Sequence, residues 1–364
     1  MSAETFLFIA LVMYVIQVAV FLYGIRRNKD FLPNDSTPYV SVIIAARNEE
    51  ENIKSCVLSV SNQTYPASLY EIIVVDDNSD DATTAICNEL SKTIANLTIV
   101  HTGNNRESGG KTNALIVGIE QSKGEIILIT DADCLVPGTW ISSTVSQYDE
   151  HVGIVGGMTL QQATTPFEGM QSLDWAYLLG IASAAATLRN PLSTIGNNLS
   201  FRRKAYDDVG GYRSIHFSVT EDYALFQAII KNGNWDYRYP IDLNLLVISK
   251  PCRTFKELAR QKHRWGKGGL DMTLSGFAIM GIGFSLHAMI LLSIFFGSIV
   301  AAAVSLLVKW LADYLLLNTL MQRFSRREDL RFFYFFEVYY HFYVLLLPFI
   351  VFFGGKVIWK GRSY

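Results

Sequence analysis

The sequence predicts an α/β domain, a mostly parallel sheet with helices on both faces, held between N-terminal and C-terminal transmembrane helices. Three observations predict it. Short β-branched runs alternate with stretches of helical periodicity between residues 40 and 130. Long apolar runs stand near both ends of the chain. Acidic and polar clusters recur where the predicted strands end, the edge at which parallel sheets bind ligands.

Half of the 364 residues are hydrophobic and 13% are aromatic. That is rich for a soluble enzyme, so part of the chain is dissolved in lipid. The formal charge of −2 lacks the basic surplus that neutralises phosphates, which sets nucleic acid aside as a partner. Cys56, Cys87, Cys134 and Cys252 are far apart in sequence, form no C-x-x-C pair and fit a reducing cytosolic location without zinc or disulfides.

Phe6 to Ile25 is an apolar run of about 20 residues, which at about 1.5 Å per residue spans a hydrocarbon core of roughly 30 Å. Glu4 precedes it and Arg26, Arg27 and Lys29 follow, so the amino terminus lies outside and the remainder inside. A cleaved signal peptide would need a basic start, a shorter apolar core and a small-residue cleavage site. Residues 1–30 are read as an uncleaved anchor.

A soluble domain over 38–270 follows. The strand Val40 to Ala46 leads to a helix over Glu49 to Ser61, with Ile53, Val57 and Val60 at helical spacing. The pattern repeats as strand Glu71 to Val75, helix Asp81 to Leu90, strand Leu97 to His101, helix Lys111 to Gln121 and strand Glu125 to Thr130.

Four clusters fall at or beyond the strand ends. Arg47-Asn48-Glu49 follows the first strand, and Asp76-Asp77-Asn78-Ser79-Asp80-Asp81 the second. Ser79 or Asp80 is expected to cap the next helix, whereas a carboxylate at Asp76 or Asp77 can accept hydrogen bonds from a base or ribose. Gly109-Gly110-Lys111 opens a helix, where backbone N–H groups, the dipole and an ammonium meet a phosphate, although glycine and lysine are also common at any such junction. Asp131-Ala132-Asp133 leaves the strand Ile126 to Ile129. Two carboxylates at this spacing converge on a divalent cation that also binds a diphosphate, or form an ordinary acidic turn.

The region 273–355 is apolar again, with runs Gly276 to Val300, Ala301 to Leu320 and Phe332 to Phe353 and a basic stretch at Arg323 to Arg327. These read as about three further spans before a basic tail over 356–364. Both basic clusters should be cytoplasmic, yet one span between them would separate them. Either Phe332 to Phe353 turns back near Pro348, or one cluster is not inside, or an earlier segment lies in the interface. Glu337 and His341 within this run either mark function or face water and headgroups.

In order, V-S-V-I-I-A-A-R-N-E-E, V-V-D-D-N-S-D-D-A-T, G-G-K-T-N-A-L, D-A-D, G-N-N-L-S-F-R-R, V-G-G-Y, Thr220-Glu221-Asp222 and Gln261-Lys262-His263-Arg264-Trp265 resemble glycosyltransferase family 2 on a GT-A nucleotide-sugar-binding fold. The resemblance runs from about Val40 to about Gly269. The final Q-x-x-R-W is similar to that of cellulose, hyaluronan and ceramide-glucoside synthases. It implies that Asp77 binds the nucleobase, that Ala46, Arg47 and Glu49 help hold the nucleoside, and that Lys111 lies near the diphosphate. Asp131 and Asp133 would bind ribose, diphosphate and a magnesium or manganese ion, Asp133 above all as metal ligand. Asp222, beside Glu221, would be the catalytic base of an inverting transfer. Gln261, Arg264 and Trp265 would close over diphosphate and acceptor.

The same helix also reads as one lying on the membrane, with Lys262, Arg264 and Lys267 at headgroups and Trp265 at the interface, and the two readings are compatible because the motif stands only about ten residues from the next apolar span. His263 is expected to be an exposed neighbour rather than a ligand. The insert Pro166 to Leu188, holding Asp174-Trp175, is a core helix or part of an acceptor site. The function implied is sugar transfer from a nucleotide-sugar donor, first a UDP-sugar, to a lipid or lipid-linked acceptor by an integral protein of the cell membrane with a cytoplasmic catalytic domain. A processive polysaccharide synthase is the alternative. A sugar-binding receptor would be expected to lose Asp222 or the D-A-D pair, and a nucleotidyltransferase would leave Thr220 to Asp222 and Gln261 to Trp265 unexplained.

Overall fold

The computed structural model describes residues 2–29, 36–103, 110–216 and 218–356, with the backbone of 358–359 and 362–363. Gly109 of the glycine pair and Val357, Lys360 and Gly361 of the basic tail lie outside these residues.

The chain opens with α1 (Ala3–Arg27) and then alternates β1 (Val40–Ala46), α2 (Ile53–Ser61), β2 (Tyr70–Asp76), α3 (Thr83–Ser91), β3 (Leu97–His101), α4 (Lys111–Gln121) and β4 (Ile126–Asp131). There follow α5 (Trp140–Val145), β5 (Val152–Gly156), β6 (Thr159–Gln161), α6 (Pro166–Thr187), β7 (Leu199–Arg202), α7 (Arg203–Asp208), α8 (Gly211–Ser214), α9 (Glu221–Asn232), β8 (Asp236–Arg238), β9 (Val247–Ser249) and α10 (Phe255–Gly268). Three long helices follow: α11 (Leu274–Phe296), α12 (Ile299–Arg323) and α13 (Phe333–Phe353).

The main sheet has the order β3-β2-β1-β4-β7-β5-β8. It is parallel except that β7 runs against both β4 and β5. Strands buried on both faces read as continuous apolar runs, as Val40–Ala46 and Ile126–Ile129 do. One core lies between the sheet and α2, α3 and α5, and a second between the sheet and α4, α7 and α9. β1 is central, with Ala46 opposite Asp76 and Ala45 opposite Asp131. Strands about 4.8 Å apart therefore set the acidic ends of β2 and β4 roughly 10 Å apart across β1.

The predicted helices and strands are present, with three local differences. Residues 49–52 form a turn, so α2 starts at Ile53. Neither Ser79 nor Asp80 caps α3: Asp81 accepts from the Thr83 N–H at 2.9 Å, while the cap position is Ala82. Asp76 is structural, its carboxylate accepting from the Ser79 N–H at 3.2 Å and the Thr84 hydroxyl at 3.1 Å.

A third apolar core joins α1, α6, α11, α12 and α13. α6 is buried all round, and it is pinned to the α/β domain where Ser172 donates to the Gln161 carbonyl, Gln171 to that of Cys252 and Ser183 to that of Tyr239. α1 crosses it at Gly24, where an added Cβ would sit 2.7 Å from the Ala184 carbonyl oxygen. Asn28 continues the junction by donating to Thr187 Oγ1 at 2.8 Å and the Tyr239 carbonyl at 2.9 Å.

Among the described residues, four helices have the length and apolarity to cross a membrane: α1, α11, α12 and the segment Arg327–Phe353. α13 is one continuous helix through Pro348, so the expected alternative of a hairpin there is overturned. Glu337 faces neither water nor headgroups; it is fully buried and ion-paired with Lys309, which also reaches Asp313 at 2.9 Å. His341 packs against His287, ring centroids 5.0 Å apart and planes tilted by 47°.

Candidate active site

A cavity of about 200 Å³ opens at the carboxyl ends of β1, β2 and β4. Its walls include Ala46, Arg47, Glu49, Asp77, Lys111, Asp131, Asp133, Glu221, Asp222, Gln261, Arg264 and Trp265. Residues separated by more than 200 positions in sequence thus meet in one hollow, and every site residue expected from the sequence is among them.

One wall of the cavity is built by two strand ends. Asn48 and Asn78, just beyond β1 and β2, both have left-handed backbones, φ 53° and 56°, a conformation asparagine tolerates better than most residues. The two turns interlock: the Asp77 N–H donates to the Ala46 carbonyl at 2.8 Å, and Arg47 Nη1 donates to the Asp77 carbonyl at 2.8 Å. The buried Asp77 carboxylate accepts from Thr102 Oγ1 at 3.2 Å, and Glu49 accepts from Asn52 Nδ2 at 2.7 Å.

A second wall is built by α4 and β4. Gly110, at φ 67°, turns the chain into α4 and puts Lys111 first in the helix, where the dipole favours an anion. Lys111 Nζ lies 2.6 Å from Asp131 Oδ1 and 3.3 Å from Glu221 Oε1. Burial lowers its pKa, but Asp131 and Glu221 outweigh that and hold it raised and cationic. Asp133 lines the same wall. Among the described residues no three His, Cys, Asp or Glu side chains form a ready metal cage. The donor set nonetheless fits magnesium or manganese, which bind through one or two carboxylates and complete their shell with phosphate oxygens and water.

Glu221 and Asp222 open α9, where its dipole supports negative charge. Asp222 Oδ1 accepts from the Tyr223 N–H at 2.8 Å, and Gly196 leaves room for the carboxylate: an added Cβ there would lie 3.1 Å from Oδ2. Burial first, then Glu221, push the Asp222 carboxyl up to about 6, while Lys111 and Arg264 pull it back. A carboxylate in that range is a better proton acceptor than an ordinary aspartate and is still ionised near neutrality.

α10 brings Gln261, Arg264 and Trp265 to the cavity. Lys262 of this helix does not sit at headgroups as the membrane-lying reading expected: it is buried and ion-paired with Asp174 of α6. His263, expected to be exposed, is buried against Gly354. The sequence left Trp175 between core and acceptor site. It lines the cavity, packs on Trp265 with ring centroids 5.2 Å apart, and has a buried indole N–H with no hydrogen-bond partner. Gln261 Oε1 is likewise buried and unpartnered, so the hollow offers a donor and an acceptor for hydroxyl groups. Ser249 and Lys250 also line it; the first ends the short strand β9, the second follows it, and neither carries a motif that would mark it.

The family described as Glycosyl transferase family 2 matches residues 41–223. Glycosyltransferase AglE of Haloferax volcanii is 32% identical over 65% of this chain and 74% of its own length. The β-monoglucosyldiacylglycerol synthase of Trichormus variabilis is 28% identical over 66% of this chain, which spans about half the length (50%) of that relative. The solved structure of the mannosyltransferase PcManGT from Pyrobaculum calidifontis, in complex with GDP-Man and Mn2+, superposes with a TM-score of 0.63 at 19% identity. It covers 93% of this chain and 99% of that one, and the shared fold is GT-A. With the family's motifs gathered in one cavity and its profile covering half of the sequence, the chain is a glycosyltransferase and belongs to glycosyltransferase family 2.

Proposed function

We propose that the protein transfers a single sugar, with inversion, from a nucleotide-sugar donor to a hydroxyl of a lipid or lipid-linked acceptor at the cytoplasmic face of the membrane. The observation that carries this reading is Asp222, a carboxylate raised to about 6, in the same cavity as Lys111, Asp133 and the Trp175–Trp265 pair. Asp222 takes the proton of the acceptor hydroxyl as its oxygen bonds to the anomeric carbon, and the bond from that carbon to the diphosphate breaks. Lys111 and Arg264 receive the negative charge of the departing nucleotide. A divalent ion held by Asp133 and Asp131 would supply further charge neutralisation.

Asp77 and Glu49 hold the nucleoside. A UDP-sugar is the first expectation, and because a carboxylate can accept from the ring N–H of uracil or of guanine, GDP-sugars belong in the same test. The lipid acceptor is supported by the apolar helices that bury the far side of α6 and α10, and by a relative named for a glucosylated diacylglycerol. The test incubates membranes holding the protein with labelled UDP- and GDP-sugars and total lipid extract. Label in the organic-soluble fraction, lost in Asp222→Asn, is expected. Label in high-molecular-weight material would replace the reading with a processive polysaccharide synthase. Transfer to neither fraction from any donor would overturn it.

A further inference from the structure

We infer that α13 lies embedded in the cytoplasmic side of the bilayer without crossing it, presenting a phenylalanine-rich face to lipid acyl chains and carrying α10 on its other face. The inference rests on reading α1, α11 and α12 as crossing helices.

A crossing helix has one end near the catalytic domain and the other roughly 30 Å away. α13 has 21 residues, long enough at about 1.5 Å each to do this, yet both of its ends are beside helices fixed to that domain. At its start, Phe332 packs over Gly169 of α6, which is pinned to the domain by Ser172, Gln171 and Ser183. At its end, Leu347 and Val351 pack on Gly266 of α10, and Gly354 abuts the His263 ring. Between these points Tyr339 donates to Asp174 at 3.5 Å, and Lys262 Nζ stands 4.9 Å from the centre of the Tyr343 ring. α13 therefore passes along α6 and then along α10, the helix that bears Gln261, Arg264 and Trp265.

The two faces of α13 divide accordingly. Phe335, Val338, Phe342, Leu346, Phe349 and Phe353 are all exposed and fall on one stripe at steps of three and four residues. An uninterrupted apolar stripe is expensive in water. It is continuous in kind with the exposed apolar surfaces of α11 and α12, among them Phe284, Leu291, Leu307 and Leu311, so the same hydrocarbon covers it. The charges agree. Arg323 donates to the Asn28 carbonyl at 2.7 Å, which puts the basic stretch on the catalytic side, and Lys356 follows the other end of α13 two residues after Gly354. A helix that does not cross leaves both basic clusters inside.

The test is labelling with a membrane-impermeant maleimide, before and after permeabilisation, in a full-length background whose native cysteines are replaced by serine or alanine and which retains transfer activity. The single variants are Gly297→Cys at the turn between α11 and α12, Ser325→Cys and Lys356→Cys, all exposed positions. Gly297→Cys should label in intact cells, and both Ser325→Cys and Lys356→Cys only after permeabilisation. Labelling of Lys356→Cys in intact cells, with Ser325→Cys protected, would show that α13 crosses and overturn the inference. Protection of Gly297→Cys would instead remove the crossing of α11 and α12, and the inference with it, while leaving the sugar-transfer reading to its own assay.

Discussion

Replacing Asp222 by asparagine should abolish transfer and at the same time make the protein more stable above pH 6. The folded-state pKa of about 6 exceeds the ordinary 3.8, so the folded chain binds this proton more tightly than the unfolded chain. That contribution to stability is complete below pH 4 and is lost as pH rises through 6. The difference corresponds to about 3 kcal/mol at most. Asp222 faces the cavity and is only partly shielded, so screening by water brings the expected loss to about 1–2 kcal/mol. Asparagine keeps the acceptor for the Tyr223 N–H but never ionises. The assay is thermal unfolding of the detergent-solubilised protein without donor. Wild type and Asp222→Asn should unfold together near pH 4 and separate by a few degrees at pH 7.5, the variant higher. A variant that unfolds lower than wild type at pH 7.5 would refute the electrostatic argument. A variant with normal turnover would refute the role as base.

Four further outcomes are expected. The acid limb of kcat for the wild type should fall with an apparent pKa near 6 rather than near 4, measured as initial rate against pH with saturating donor. Asp133→Ala should weaken donor binding in magnesium or manganese at least tenfold and change little in chelator, by titration calorimetry; equal loss in both would remove it from the metal site. Lys262→Met leaves the Asp174 carboxylate buried without its partner, which costs about 3–5 kcal/mol, whereas Lys262→Met with Asp174→Leu should recover most of the loss, by thermal unfolding. Trp175→Phe keeps the packing on Trp265 but removes the unpartnered indole N–H. It should raise the acceptor KM about threefold to tenfold with kcat little changed, since one hydrogen bond contributes about 1 kcal/mol.

The catalytic half was legible because each of its motifs stands next to an element that periodicity reveals. Asp77 directly follows β2, Lys111 opens α4 and Asp131 ends β4, and a parallel sheet gathers such ends on one edge whatever the loops do. The caps of α3 were missed because two acidic residues and a serine offer several equivalent hydrogen-bonding schemes, and only the tertiary contact of Asp81 with Glu50 and Thr83 chooses among them. Trp175 stayed ambiguous for a different reason. α6 is apolar or small on nearly every side, so no stripe shows which residue faces the cavity and which faces Tyr14 or Leu320.

On the inference that α13 does not cross, the same loss of pattern explains why its sequence reads as a span. Hydropathy measures whether a segment tolerates lipid, and a helix with lipid on one face and buried tyrosines on the other has the same average as one surrounded by lipid. What separates the two is the pairing of individual groups. Tyr339 and Lys262 meet over Asp174, and Glu337 meets Lys309 and Asp313. Burial makes each of these pairs costly to break and intolerant of displacement, so they set the positions of α6, α10, α12 and α13 relative to one another more sharply than apolar contact alone would. Trp175 and Trp265 inherit that placement, one residue from Asp174 and three from Lys262. On this reasoning Lys262→Met would disturb transfer through the position of Trp265 even where the protein remains folded. The double variant with Asp174→Leu, though restored in stability, would retain a raised acceptor KM, because leucine and methionine pack without fixing the register that the ion pair fixes. Full recovery of both stability and KM in that double variant would show that the pair is dispensable for the site's geometry.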